Sequence, residues 1–393
     1  MKIKYVFVAL FLFIIATPFL LNMAVNGAKE NLILETENRL AANFKPLEKF
    51  RISKVKLFFD DFDKFLQDRL ISRDFIVNSF RYVTTNNFNL TFDNPLFIEG
   101  RDNFVFINKL DFVLERHTRG FSSKYAGEFK KNFDSLFNKL KDIADFSKKS
   151  NIDFFVFVAP DKHGVYCKKL PDYLGKEVCS ISKDVTNNNL KRLTAYGIKT
   201  IYPIDELQKI AESKHLYYKT DTHWNILGAE QAFYILMENI LSNKDKLKDI
   251  NFIPNNDYSL VEYENKEVGD LKNMGISQAY SFSEVAYKFK SVGNKKILWK
   301  TDDQKNYEEK LLDDVHSSPA QKKEIMVNES ANNEMNILLI KDSFSTSLSY
   351  FFNLNFKNVT YLSYYDNDIT EIENVVKEFN PDLIIYETVE RHF

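Results

Sequence analysis

Residues 336–345 read Asn-Ile-Leu-Leu-Ile-Lys-Asp-Ser-Phe-Ser. The apolar run that ends at Ile340 predicts a buried strand, and the polar residues after it predict a sharp turn into a helix that ends near Phe352. Ser343 is then expected at the carboxyl end of a strand and at a helix N-terminus, a position that suits a nucleophile and the anion it generates. The alternative is that Ser343 or Asp342 only caps the helix.

Strands and helices alternate from residue 152 to the end of the chain. Residues 152–158 form a nearly continuous apolar run, which is typical of a strand covered on both faces. The same patterns predict the other elements, with strands at 199–203, 359–362 and 381–386 and helices at 184–198, 205–213, 226–241 and 369–379. This order predicts an α/β fold in which a three-layer parallel sheet carries helices on both faces.

The rest of this domain, which we take as residues 95–393, is less regular. Residues 95–107 alternate in hydrophobicity around a glycine-containing turn and predict a hairpin. Residues 110–150 predict a helix. Residues 245–335 are rich in Asn and Lys around short apolar patches, so we expect a short β-rich insertion there.

The stretch Lys219-Thr220-Asp221-Thr222-His223-Trp224-Asn225 carries the clearest chemistry. In an extended segment, residues two apart point to the same side, so Asp221 and His223 are expected to converge while Thr222 faces away. A carboxylate beside a histidine fixes its tautomer and stabilises its charged form, as a hydrolytic base requires. Asn225 is expected to cap the next helix. The alternative is a hydrogen-bonded pair with a structural role only.

The N-terminal sequence predicts that the chain is anchored in a membrane. Lys2 and Lys4 precede an apolar run over residues 5–21, which is at the short end for a bilayer span. No good small-x-small cleavage site follows, so residues 1–27 predict an uncleaved signal anchor, with a removed signal peptide as the alternative. Residues 28–94 then predict a helical membrane-proximal segment. The catalytic domain would lie in the periplasm, on a single-pass protein of the inner membrane.

Charge and cysteine content narrow the function classes. A formal net charge of −2 over 393 residues gives no electrostatic basis for binding nucleic acid. Cys167 and Cys179 would form a disulfide in an oxidising compartment. Two cysteines without clustered histidines do not make a metal site, and neither a metal nor a cofactor is expected.

Five segments resemble the alginate O-acetyltransferase family, whose catalytic domain resembles the SGNH hydrolases. They occur in the same order as in that family, at residues 97–106, 158–162, 220–224, 341–345 and 381–391. The Asp-Thr-His-Trp and Asp-Ser-Phe segments are the most specific. The resemblance implies an SGNH hydrolase-like domain over roughly residues 95–393, permuted so that the Asp/His pair precedes the serine.

The resemblance also implies catalytic roles. Ser343 would be the nucleophile, His223 the base and Asp221 the group that orients the base. Lys341 departs from the SGNH pattern, because a glycine usually precedes Asp-Ser there. The turn is therefore expected to have a different shape.

Three further residues are candidates for binding the substrate. Trp224 could stack on a sugar, and its alternative role is packing beside His223. Arg391 and Lys162 could contact an anionic glycan, and their alternative role is in ion pairs.

The resemblance implies a membrane-anchored O-acetyltransferase that acts through an acetyl-serine intermediate on an extracytoplasmic polysaccharide. Both an alginate-like exopolysaccharide and peptidoglycan are open as acceptors. Since acetyl-CoA is cytoplasmic, the resemblance also implies a membrane-bound O-acyltransferase as acetyl donor. Two other functions remain open, namely a carbohydrate acetylesterase of the same fold and a non-catalytic glycan-binding scaffold.

Overall fold

The computed structural model describes most of the chain after residue 96. The described residues are 33–34, 39–40, 58, 63, 65, 97–108, 124–171, 174, 177–242, 257–267, 269–271, 283–364 and 369–393, without the side chains of 33–34, 39–40, 124–132 and 177–182. The chain divides into two compact units, Met1–Phe97 with Asp270–Ser281 and Ile98–Gly269 with Phe282–Phe393. The site described below lies in the second unit.

The described residues form fourteen strands and seven α-helices. The strands are β1 (Ile33–Leu34), β2 (Arg39–Leu40), β3 (Phe97–Glu99), β4 (Val105–Ile107), β5 (Asp153–Ala159), β6 (Lys199–Ile201), β7 (Tyr258–Asn265), β8 (Glu284–Ser291), β9 (Lys296–Thr301), β10 (Glu308–Leu311), β11 (Lys323–Val327), β12 (Asn333–Lys341), β13 (Phe356–Ser363) and β14 (Leu383–Val389). The helices are α1 (Lys124–Lys149), α2 (Lys162–Val165), α3 (Glu177–Tyr196), α4 (Ile204–Ala211), α5 (Ile226–Ser242), α6 (Ser345–Asn355) and α7 (Ile369–Phe379).

An eight-stranded sheet forms the centre of the second unit, in the order β10-β9-β11-β13-β12-β14-β5-β6. From β13 to β6 all neighbouring strands pair in parallel. Two-stranded sheets of β3 with β4 and of β7 with β8 lie outside it. The α/β fold with a mostly parallel sheet, predicted from the alternation of strands and helices, is confirmed.

Helices cover both faces of the sheet because the parallel strands are apolar on both faces. Phe155 and Phe157 of β5 pack in one core cluster with residues of α4, α5 and α6. Phe154 and Val156, the alternate residues of the same strand, pack in the other cluster with residues of α1, α3 and α7. Burial on both faces is what distinguishes such strands from the half-exposed strands of an antiparallel sheet.

The sheet is not parallel throughout, which corrects the prediction. Strand β11 pairs antiparallel with β13 and with β9, and β9 pairs antiparallel with β10. These three strands come from the segment 245–335, which was predicted as a β-rich insertion. They extend the central sheet because β13 would otherwise present an unpaired edge of N–H and C=O groups.

The N-terminal predictions lie largely outside the described residues. The four residues of β1 and β2 pair as antiparallel strands, where the prediction for 28–94 was helical. Residues 58, 63 and 65 are helical, and the rest of the segment 28–94 lies outside the described residues. In the described part of the chain, no helix is both long and apolar enough to cross a bilayer, and the anchor predicted at 1–27 lies outside that part.

Candidate active site

Three neighbouring parallel strands end at one edge of the sheet. Strand β12 ends at Lys341, β14 at Val389 and β5 at Ala159. The residues that follow each strand are polar, as expected where open α/β sheets bind their ligands. This edge therefore brings together three segments that are far apart in the sequence.

Ser343, His223 and Asp221 form a continuous chain of hydrogen-bonding atoms at this edge. His223 Nε2 lies 2.8 Å from Ser343 Oγ. On its other side, His223 Nδ1 lies 2.7 Å from Asp221 Oδ1. With the carboxylate accepting from Nδ1–H, Nε2 is left as the acceptor for the serine hydroxyl, which is the arrangement of a general base.

The Asp-Thr-His segment converges by a bend and not, as we expected, by strand alternation. Asp221 Oδ1 accepts the backbone N–H of His223 at 2.9 Å, a local turn typical of aspartate. Thr222 does not face away, because its Oγ1 lies 3.4 Å from His223 Nδ1. The carboxylate thus holds both the backbone and the ring of the histidine.

Lys162 anchors the loop that carries this pair, which corrects its prediction as a substrate-binding residue. Its ammonium group donates to the carbonyls of Tyr218, Lys219 and Asp221 at 3.1, 3.0 and 2.6 Å. Lys162 is 3% exposed. An ammonium group has three protons, so three carbonyl partners leave none for a substrate.

Other contacts hold the same loop from further directions. The Lys219 carbonyl accepts from the Val105 N–H at 2.9 Å, and the Lys219 N–H donates to Glu284 Oε2 at 2.6 Å. Gly269 N–H donates to Thr220 Oγ1 at 3.0 Å. A Cβ at Gly269 would lie 2.4 Å from Asp221 Cβ, so this close approach requires glycine. Several segments therefore fix the position of Asp221.

Trp224 is buried behind Ser343, which corrects its prediction as a sugar-stacking residue. It is 0% exposed. Its indole N–H donates to the Phe344 carbonyl at 3.0 Å, and the two rings lie edge to face. The packing alternative is the one observed, and it ties the residue after His223 to the residue after Ser343.

Asp342 organises the turn that carries Ser343. Its Oδ1 accepts from Phe344 N–H and its Oδ2 from Val389 N–H, both at 2.8 Å. Its own N–H donates to Glu387 Oε2 at 3.0 Å. Asp342 is thus the capping group of the turn, and the Ser343 hydroxyl remains available to His223.

Two carboxyl groups under this turn have opposite pKa shifts. Burial raises the pKa of Glu387 well above its usual value, and the neighbouring Asp342 carboxylate raises it further. Burial also acts to raise the pKa of Asp342, but hydrogen bonds to His392 and to the Phe344 and Val389 amides outweigh it and lower that pKa. The sequence analysis missed Glu387, although a glutamate inside a buried apolar strand was a usable signal.

Arg391 pairs with a buried acid instead of facing a glycan. Its guanidinium forms an ion pair with Asp161 and lies 5.3 Å from the centre of the Phe344 ring. The Arg391 side chain is 11% exposed, so the pair is an interior contact between the ends of β14 and β5. The ion-pair alternative is therefore observed, in a buried form.

Asp161, His163 and Glu390 are the buried residues that come closest to a metal-ligand set. Each offers one ligand atom, and these atoms lie within 4.8 Å of one another. Glu390 Oε2 already accepts from the Asp161 N–H at 2.9 Å, and Asp161 is paired with Arg391. A cation would compete with that guanidinium for the same carboxylate, so we assign the cluster to the structure of the strand ends.

Cys167 is disulfide-bonded, and no described cysteine is free. Its predicted partner, Cys179, lies among the residues of α3 whose side chains the structure does not describe. The pairing of Cys167 with Cys179 therefore stays a prediction.

A family model described as "SGNH hydrolase-like domain, acetyltransferase AlgX" matches residues 123–325, just over half of the chain. The matched region includes Asp221 and His223 and ends before Ser343. Among curated proteins, none is significantly similar to this chain.

Solved structures are similar to this chain at low sequence identity, and those of PatB1 share its fold. Bacillus cereus PatB1 is 20% identical with a TM-score of 0.54, covering 66% of this chain and 90% of that chain. A structure of PatB1 with a sulfonyl adduct gives 19% identity and a TM-score of 0.52, covering 66% and 89%. The O-acetyltransferase domain of Pseudomonas putida AlgJ is 13% identical with a TM-score of 0.46, covering 76% and 91%.

Proposed function

The chain belongs to the SGNH hydrolase-like acetyltransferase AlgX family, and on that premise we propose that it transfers acetyl groups to an extracytoplasmic polysaccharide through an acetyl-serine on Ser343. The observation that carries the proposal is the hydrogen-bonded chain from Asp221 through His223 to Ser343. It supplies a nucleophile, a base and an orienting carboxylate in contact with one another.

In the first half-reaction, Ser343 takes the acetyl group from its donor. His223 Nε2 accepts the hydroxyl proton as Ser343 Oγ attacks the acetyl carbonyl carbon, and Asp221 stabilises the imidazolium that forms. The tetrahedral intermediate collapses when the bond to the donor oxygen breaks. His223 then gives its proton to that leaving oxygen, which leaves Ser343 acetylated.

In the second half-reaction, a sugar hydroxyl replaces the donor. His223 removes the proton of that hydroxyl, whose oxygen attacks the acetyl-serine carbonyl. When the bond to Ser343 Oγ breaks, His223 returns the proton to the serine. The products are an acetylated sugar and the free enzyme.

Both tetrahedral intermediates carry a negative charge, which needs a hydrogen-bond donor near the N-terminus of α6. The Ser343 N–H donates to no acceptor in the part of the chain that the structure describes, and it lies at the start of α6. A backbone N–H in this position is suited to stabilise the oxyanion.

The proposal extends to the acetyl source and the location. A membrane-bound O-acyltransferase would supply acetyl groups from the cytoplasm, and residues 1–27 would anchor the chain with its catalytic domain in the periplasm. Lys2 and Lys4 before the apolar run support this orientation. Fusing alkaline phosphatase to the C-terminus tests it, because a cytoplasmic reporter would be inactive.

Ser343→Ala tests the chemistry. Hydrolysis of p-nitrophenyl acetate by the purified protein should fall by about 10³-fold or more, because the nucleophile is lost. Ser347→Ala, in the first turn of the same helix, is the matched control and should retain activity. Full activity of Ser343→Ala would remove the proposal, and a covalent adduct of a sulfonyl fluoride on Ser343 would argue against a non-catalytic scaffold.

The identity of the acetyl acceptor distinguishes an acetyltransferase from an esterase. His223 and Asp221 have side chains 26% and 22% exposed, so water reaches the pair. When an oligosaccharide is added with the acetyl ester, mass spectrometry should detect acetylated oligosaccharide. Release of acetate alone at every acceptor concentration would indicate a carbohydrate acetylesterase instead.

A further inference from the structure

A cavity of about 570 Å³ opens beside the loop that carries Asp221. Its wall is formed on one side by His215 and Lys219 and on the other by the strands β7 and β8, including Tyr263 and Glu284. Cavities that hold small ligands have volumes of roughly 300–1,000 Å³, so one or two sugar residues would fit this one.

The cavity adjoins the loop that carries Asp221 at Lys219. Lys219 lies two positions before Asp221, and its N–H donates to Glu284 Oε2 at 2.6 Å. Tyr218, next to Lys219, has its pKa raised by burial and then by the fields of Tyr263, Asp221 and Glu284. Lys219 is therefore the residue that joins the cavity wall to this loop.

Glu284 gives the cavity its chemical character. It is 5% exposed, and its Oε1 has no hydrogen-bond partner in the part of the chain that the structure describes. Its Oε2 accepts from Lys219 N–H and lies 3.4 Å from His215 Nε2. The Glu284 side chain is 1% exposed, so it acts on a ligand in the cavity through its charge and not through a direct hydrogen bond. A buried carboxylate favours a neutral or positively charged ligand and opposes one that brings a second negative charge.

The charges at the rim are mixed and do not reverse this preference. Glu262 and Glu264 also line the cavity. Glu264 forms an exposed ion pair with Lys266 at 3.0 Å. The ammonium of Lys288 lies 4.9 Å from the centre of the Tyr263 ring. Exposed charges are screened by water, so the buried Glu284 dominates the field inside the cavity.

We propose that this cavity is the acceptor subsite and that it takes a sugar residue bearing hydroxyl or amino groups and no carboxylate. The inference rests on the proposed function and deepens it, because it favours a uronate-free glycan over an alginate-like one. Tyr263, which is 36% exposed, supplies an aromatic surface for the sugar. The negative charge of Glu284 opposes a sugar that carries a carboxylate.

Calorimetric binding to the full-length protein tests the subsite. The probes are tetrasaccharides of glucosamine, of N-acetylglucosamine and of mannuronate. Both amino-sugar probes should bind at least about tenfold more tightly than the mannuronate probe, which corresponds to about 1.4 kcal/mol. Equal or tighter binding of the mannuronate tetrasaccharide would overturn the proposal.

Two variants test whether the cavity residues cause the preference for amino sugars over mannuronate. Glu284→Gln keeps an oxygen acceptor for the Lys219 N–H and should lower the affinity for the glucosamine probe about fivefold. Glu262→Lys should raise the affinity for mannuronate relative to glucosamine by about the same factor. Glu206→Lys makes the same charge change on an exposed position of α4 and should leave the ratio unchanged. A ratio that shifts equally in Glu262→Lys and Glu206→Lys would contradict the subsite.

This measurement is independent of the proposed chemistry. If p-nitrophenyl acetate turnover depends on Ser343 while the acceptor preference is absent, the subsite is wrong and the acetyltransferase proposal stands. If the preference is present and no turnover depends on Ser343, the cavity binds the glycan as proposed and the acetyl-serine mechanism is wrong.

Discussion

Lys162 holds the loop that carries the proposed base, His223. Its ammonium binds three carbonyls of the loop before His223. Hydrogen bonds from a charged donor are stronger than neutral ones. The loop is therefore held on one side by a single side chain.

Lys162→Met should lower kcat for p-nitrophenyl acetate by about 10²-fold, because a shift of about 1 Å at the base is enough for that loss. KM should change much less, since no substrate contact is removed. Lys168→Met makes the same substitution at a lysine whose side chain is 88% exposed and is the control. An unchanged kcat in folded Lys162→Met would show that the other contacts suffice to hold the loop.

Glu387 predicts a pH dependence of stability. Its folded-state pKa is raised by burial and by Asp342, so the folded protein keeps a proton that the unfolded chain releases near the usual pKa of 4.5. The stability from this group is present below that value and is lost as pH rises through the folded pKa, by at most about 1.4 kcal/mol per pH unit.

Glu387→Gln removes this dependence, because an amide resembles the protonated acid and does not ionise. Urea unfolding at pH 5 and pH 8 should show that the variant loses less stability with rising pH than the wild type does. The side-chain amide oxygen of the variant can still accept from Asp342 N–H and from Ser345 Oγ, which bond to Glu387 at 3.0 and 2.7 Å in the wild type. Parallel pH profiles for both proteins would disprove the raised pKa.

At the scale of elements, helix α5 begins where the catalytic loop ends. Asn225 Oδ1 accepts from Gly228 N–H at 2.9 Å and caps the helix, as the sequence predicted. Asn225 Nδ2 also donates to the His215 carbonyl at 2.6 Å. One side chain thus joins the start of the helix to the segment before the loop.

Asn225→Ala should destabilise the protein by about 2 kcal/mol, because the cap is lost and a carbonyl loses its donor. Asn225→Ser keeps a capping oxygen and loses the donor without burying a charge, so it should be less destabilising. Denaturant unfolding measures both free energies. Equal losses in the two variants would place the whole effect in the bond to His215 and none in the cap.

At the scale of the whole sheet, a buried ion pair joins the antiparallel extension to the strand of the nucleophile. Lys341 of β12 lies 3.3 Å from Glu324 of β11, and the two side chains are 1% and 0% exposed. Lys341 also donates to the Ser318 carbonyl. This lysine stands where SGNH motifs have glycine, and its side chain reaches across β13 to the added strands.

Glu324→Gln should destabilise the protein by about 3–5 kcal/mol, since it leaves a buried ammonium without its counter-ion. Burial already acts to lower the pKa of Lys341, and Glu324 opposes that shift. Combining Glu324→Gln with Lys341→Met should recover part of the loss, because the unpaired charge is then removed. A double variant less stable than the sum of the single changes would contradict this interpretation.

The sequence by itself determined the layers of this protein and the residues that are candidates for its active site. Strand and helix periodicities are local, and an apolar run such as residues 153–159 reports burial on both faces wherever the strand lies in the sheet. The spacing of Asp221 and His223 is local as well. The family resemblance, which the comparisons confirm, rests on such short segments.

Only the tertiary structure decided which side chains meet. His223 and Ser343 are 120 residues apart, and Asp161 and Arg391 are 230 apart. A lysine after a strand has the same local sequence pattern whether it faces solvent or three carbonyls. The sequence therefore suggested that Lys162 binds the substrate, and the structure shows that it anchors the loop. Hydrophobic periodicity reports which side chains are buried. Which side chains contact one another depends on strand order and register, and both are set by non-local contacts.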